Sequence, residues 1–100
     1  MLMTIAKFEA RPELRQELLE LARMLVEQSR AEDGCLDFGG YRDIMGSDTL
    51  LVVGRWIDQG ALERHYESAH FQEIVGRFAE LLVEALPSVS LYEVVEMDRL

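Results

Sequence analysis

The sequence predicts an α+β fold of the ferredoxin-like type, β-α-β-β-α-β, in which helices cover one face of an antiparallel sheet. Two observations lead there. Four apolar segments of strand length are interleaved with long apolar stripes at three- and four-residue spacing, and their order along the chain is that of the split βαβ arrangement. With 100 residues the chain can bury one core, so residues 1–100 are read as a single domain.

Residues 2–9 place Leu2, Ala6 and Phe8 on one register and Met3 and Ile5 on the other, which predicts a first strand. Pro12 stands where the first turn of a helix tolerates it. Leu14, Leu18, Leu21, Ala22 and Leu25 then draw one apolar stripe on a helix that ends near Gly34, with Glu13, Glu17, Glu20, Glu27, Arg15, Arg23 and Arg30 on its solvated face. Cys35 to Asp43 reads as the second strand, Asp43 to Thr49 as a turn containing Gly46, and Leu50 to Ile57 as the third strand. Asp58 is a candidate N-cap for a short helix through Tyr66, and Ser68 caps the next one. Phe71, Ile74, Val75, Phe78, Leu81, Leu82 and Ala85 form a helical stripe that Pro87 terminates, and Val89 to Met97 is the last strand.

Helices on one side leave the other sheet face bare, yet LLVVGRWI is apolar on both registers, and Val89, Leu91, Val95 and Met97 face opposite to Tyr92 and Val94. Something must cover that second face. The simplest cover is the same surface of another copy across a two-fold axis, because a monomer would expose a patch large enough to aggregate. A homodimer with facing sheets is the expectation.

Charge excludes several partners. A formal net charge of -9 with scattered basic residues opposes binding to nucleic acid or an anionic membrane, and no segment approaches the roughly 18 apolar residues of a membrane span. The N-terminal segment meets Lys7 and Glu9 too early for a signal-peptide core, so a soluble, cytoplasmic protein is expected. Cys35 is the single cysteine, which forbids an internal disulfide and fits a small buried hydrophobe better than a reactive thiol. Gly39-Gly40 falls within a strand and offers no phosphate loop, and no serine sits in a nucleophile-elbow context. Two histidines five residues apart across a helix break, with no third ligand at regular spacing, give no zinc signature.

The informative segment is Leu50 to Phe71, which holds Trp56, the one tryptophan, and both histidines. Rare polar-aromatic side chains gathered beside an apolar strand suggest a pocket. His65 follows Ala61 by four residues and Leu62 by three, so it shares their inward face, as a satisfied core histidine or as a pocket acid/base. His70 lies in the first turn of its helix, near the positive end of the macrodipole, either as a partly exposed helix-start residue or as a neutral imidazole that accepts a proton or a hydrogen bond. Trp56 offers a flat wall for an aromatic ligand, and Phe38, Tyr66, Phe71 and Phe78 are candidates to line the same cavity or to serve simply as core.

The pattern Trp56, Ala61-Leu62, His65 and Ser68-Ala69-His70-Phe71, together with AEDGCLDF entering the second strand, resembles the antibiotic-biosynthesis-monooxygenase (ABM) family of small dimeric α+β barrel proteins. The resemblance covers nearly the whole chain. It implies oxidation of a small quinol or polyphenol by O₂ without a cofactor, with His65 as the base and Trp56 and the Phe residues as walls. Family members often carry Glu two residues before the tryptophan; here that position is Gly54, which leaves extra room beside Trp56. The haem-degrading branch fits less well, because its Asn-Trp-His triad falls near Ala6, His65 and Val75. An isomerase acting on a small phosphorylated sugar and an aromatic-ligand-binding module without turnover remain the alternatives.

Overall fold

A computed structural model of the chain describes residues 1–84 and 87–97. Strand β1 (Leu2–Glu9) leads through a 3-10 turn at Pro12–Leu14 into helix α1 (Arg15–Arg30), then β2 (Cys35–Arg42), β3 (Thr49–Trp56), α2 (Gln59–Glu67), α3 (Ala69–Phe78) and β4 (Ser88–Glu93). The four strands pair antiparallel in the order β2-β3-β1-β4, which is the ferredoxin-like arrangement. β1 lies at the centre, running from Leu2 opposite Trp56 to Glu9 opposite Thr49.

Period-two alternation decides which residues meet the helices. On β3, Leu50, Val52, Gly54 and Trp56 are buried and their neighbours in sequence are only partly so. They pack with Thr4 and Phe8 of β1 and Phe38 of β2 against Leu18, Leu21, Ala22 and Leu25 of α1 and against Ile74 and Phe78 of α3. Each helix turns its predicted stripe inward. Asp58 caps α2 by accepting from the Ala61 N–H at 2.9 Å, and Ser68 caps α3 by accepting from Phe71 at 3.3 Å.

Two expected boundaries move. The apolar stripe expected to run helically to Ala85 leaves the helix at Phe78, and Ala85 itself lies outside the described residues. Leu82 instead bridges to Ala10, while Arg11 N–H donates to the Leu81 carbonyl at 2.9 Å and Val83 N–H to Glu9 at 2.9 Å. Backbone partners beyond the end of β1 thus replace intrahelical ones, and Leu81 and Leu82 are buried all the same. Periodicity cannot tell these cases apart. The last strand likewise ends at Glu93 rather than Met97: Val94 N–H donates to the Met1 carbonyl at 2.9 Å, and Val95 and Met97 are exposed beyond that bond.

The opposite sheet face carries Met3 and Ile5 from β1, Leu51 and Val53 from β3, Tyr41 from β2 and Tyr92 from β4, aligned by the ladders Met3–Tyr92, Ile5–Val53 and Tyr41–Leu51. No helix among the described residues lies on it. No helix among them is long and apolar enough to cross a membrane.

Candidate active site

The site forms where α2 crosses the end of β3. His65 is 3% exposed, and its ring lies against those of Trp56 at 4.4 Å, Phe71 at 4.8 Å, Phe38 at 5.5 Å, Tyr66 at 5.7 Å and His70 at 6.2 Å between centroids. Of the seven residues singled out in the sequence, five therefore converge on the imidazole of a sixth, His65. Phe78 does not: it packs edge-on to Phe8 at 5.0 Å, one layer deeper.

A cavity of about 330 Å³ opens beside this cluster, walled by His65, Tyr66, Phe71 and Val75 of the helices and by Thr4, Ala6, Phe8, Phe38 and Val52 of the sheet. That volume lies at the small end of ligand pockets and suits a compact ring system. Trp56, fully buried, backs His65 rather than facing the cavity. Its indole N–H has no hydrogen-bond partner among the described residues.

Gly54 does not leave extra room beside Trp56. A Cβ built there would stand 2.9 Å from Phe38 Cδ2 and 2.9 Å from Trp56 Nε1, because the Phe38 and Trp56 rings already fill the space.

The carboxylate of the site comes from an element the motif did not include. Glu32, in the turn between α1 and β2, accepts a hydrogen bond from His65 Nδ1 at 2.6 Å and lies 3.3 Å from His70 Nε2. The turn holds it firmly: Glu32 N–H donates to Ser29 and its carbonyl accepts from Cys35. Gly34 brings this turn against α2. Its φ is +81°, and a Cβ there would fall 2.5 Å from the Ala61 Cβ, so only glycine permits the approach. Ile57 N–H donates to the Gly34 carbonyl at 2.8 Å and ties the turn to the end of β3.

An ionised carboxylate only accepts, so Nδ1 of neutral His65 carries the proton and Nε2 presents its lone pair. Nε2 has no hydrogen-bond partner among the described residues. Burial lowers the His65 pKa below its usual 6.5, opposed by the hydrogen bond and charge of Glu32 and aided by His70. The imidazole is thus neutral at pH 7, with its free nitrogen available to a cavity molecule. Ser68 donates to the His65 carbonyl at 2.6 Å and lies 3.4 Å from His70 Nε2, so the cap of α3 also braces the site. Burial raises the Tyr66 phenol, which stays protonated at neutral pH. Cys35 is also raised, chiefly by burial, as suits an unreactive thiol.

Residues 1–77 match the family profile described as antibiotic biosynthesis monooxygenase. The YcnE protein of Bacillus subtilis, whose name assigns it provisionally to the monooxygenases, is 35% identical over 89 residues, covering 89% of this chain and 94% of that one. Rv0793 of Mycobacterium tuberculosis, named likewise, is 33% identical over 78 residues, 78% of this chain and 76% of its own. Its solved structure superposes with a TM-score of 0.90, covering 98% of both chains. A conserved protein from Methanosarcina mazei Go1, 32% identical, superposes with a TM-score of 0.86 over 91% of this chain and 89% of that one.

Proposed function

Given that the chain belongs to the antibiotic biosynthesis monooxygenase family, we propose that it oxidises a small electron-rich phenol or quinol with O₂, using no cofactor. The observation that carries this reading is the Glu32–His65 pair, whose uncommitted nitrogen stands beside an apolar cavity. His65 Nε2 takes the phenolic proton, and Glu32 stabilises the imidazolium that forms. The phenolate then passes an electron to O₂, the radicals combine, and the resulting peroxide collapses to quinone and water. The apolar walls orient the anion and keep bulk water from the radical pair.

No Lys or Arg among the described residues lines this cavity, so a phosphorylated substrate finds no cationic partner there. Binding without turnover is the reading an experiment must separate. Oxygen-electrode screening of the purified protein with quinols and polyphenols, beside His65→Ala, makes that separation. Saturable O₂ uptake lost in His65→Ala supports the proposal, whereas ligand binding with no uptake overturns it.

The working unit is a homodimer in the same proposal. Met3, Ile5, Leu51 and Val53 form a continuous apolar surface that a second copy would cover. A cytoplasmic setting belongs to the same proposal.

A further inference from the structure

We propose that Glu32, His65 and His70 also form a binding site for one divalent transition-metal ion of the zinc class, and that this ion inhibits the base. The sequence spacing of the two histidines lacks a third ligand; the α1–β2 turn supplies it. One ligand atom from each residue lies within 4.8 Å of the other two. Two imidazole nitrogens and one carboxylate oxygen form a set that prefers zinc, cobalt, nickel or copper over magnesium or calcium, and three protein ligands leave a position for water.

Two of the three donor separations lie within about 0.7 Å of what an ion requires, and the third is no more than 4.8 Å. Donors around tetrahedral zinc at about 2.0–2.1 Å stand roughly 3.3 Å apart, and Glu32 Oε2 already lies 3.3 Å from His70 Nε2. The 2.6 Å separation from His65 Nδ1 must open by about 0.7 Å once the intervening proton leaves. The ion has a route in: the side chains of His70 and Glu32 are 20% and 16% exposed, against 4% for His65. Three different elements present these ligands, each fixed by backbone or cap contacts, so the site is largely built before the ion arrives.

Inhibition follows from tautomer chemistry and rests on His65 acting as the base. A metal on Nδ1 displaces its proton, and a neutral imidazole then carries its hydrogen on Nε2. The nitrogen that accepted a substrate proton becomes a donor.

Calorimetric titration of Zn²⁺ into chelator-treated protein, with Co²⁺ absorbance as a second readout, tests the site without reference to turnover. One Zn²⁺ per chain is expected, with affinity at least about tenfold weaker in His70→Gln and in Glu32→Gln, and Co²⁺ bands in the visible that both substitutions remove. No stoichiometric Zn²⁺, or binding unchanged in both variants, overturns the site. His70→Gln, the more exposed of the two, keeps the test open even if Glu32→Gln fails to fold. Zn²⁺ binding with no oxidase activity leaves the site standing and removes the function proposed above; oxidase activity insensitive to bound Zn²⁺ removes the inhibitory role.

Discussion

The Glu32 carboxylate lies 2.6 Å from His65 Nδ1 across 33 residues of chain. His65 is otherwise enclosed by the rings of Trp56, Phe71 and Phe38, and the other histidine near Glu32, His70, stands farther off at 3.3 Å. The pair fixes the tautomer and leaves Nε2 as the acceptor of a residue that lines the cavity, so its two members should have separable effects on rate.

His65→Ala should lower quinol oxidation by roughly two orders of magnitude, the low end for losing a general base, and Glu32→Gln should produce a smaller loss. His70→Ala should cost less than either in metal-free protein. Steady-state O₂ uptake with the dimer verified checks this; a fully active His65→Ala would mean that the substrate enters already ionised.

The pH profile has a defined sign. Burial lowers the His65 pKa, so the neutral base persists below pH 6.5, and in chelator-treated protein the acid limb of kcat/KM should lie below that value. Glu32 opposes that lowering, so Glu32→Gln should move the limb to still lower pH. A limb that moves upward in the variant would show that Glu32 does not act on His65 in this way.

Gly34→Ala should destabilise the protein by on the order of 2 kcal/mol, since it forces a side chain into a positive-φ position and against Ala61. Thermal unfolding should shift down by roughly 10 °C. Activity should fall further than that loss explains, because the same turn carries Glu32.

Val53→Lys places a charge at the centre of the uncovered sheet face, opposite Ile5. Light scattering should give about twice the 11.5 kDa chain mass for the native protein, and dissociation or unfolding for the variant. A native protein that stays monomeric and soluble would exclude the facing-sheet dimer.

Much of this architecture was legible because two periods, 2 and 3.6, sort the apolar residues of β1, β3, α1 and α2 onto single faces. His65 was legible for the same reason, through its spacing from Ala61 and Leu62. Glu32 was not: it sits in a turn with no periodicity, one acidic residue among nineteen, and its role exists only through the approach that Gly34 allows. Leu81 and Leu82 satisfied a helical pattern while a backbone bridge buried them. Phe78 matched the aromatic pattern of the site, but its position on α3 sends it beneath Phe8.

The Phe38 ring occupies the volume that any side chain at position 54 would need. The two positions therefore compete for one space and should covary among relatives, a larger residue at 54 accompanying a smaller one at 38. Gly54→Ala alone should be less stable than the same change made together with Phe38→Leu, a coupling that a double-mutant cycle measures. Substitution at this site then works by pairs: a side chain on β3 gains room only as the ring facing it from β2 shrinks or turns aside.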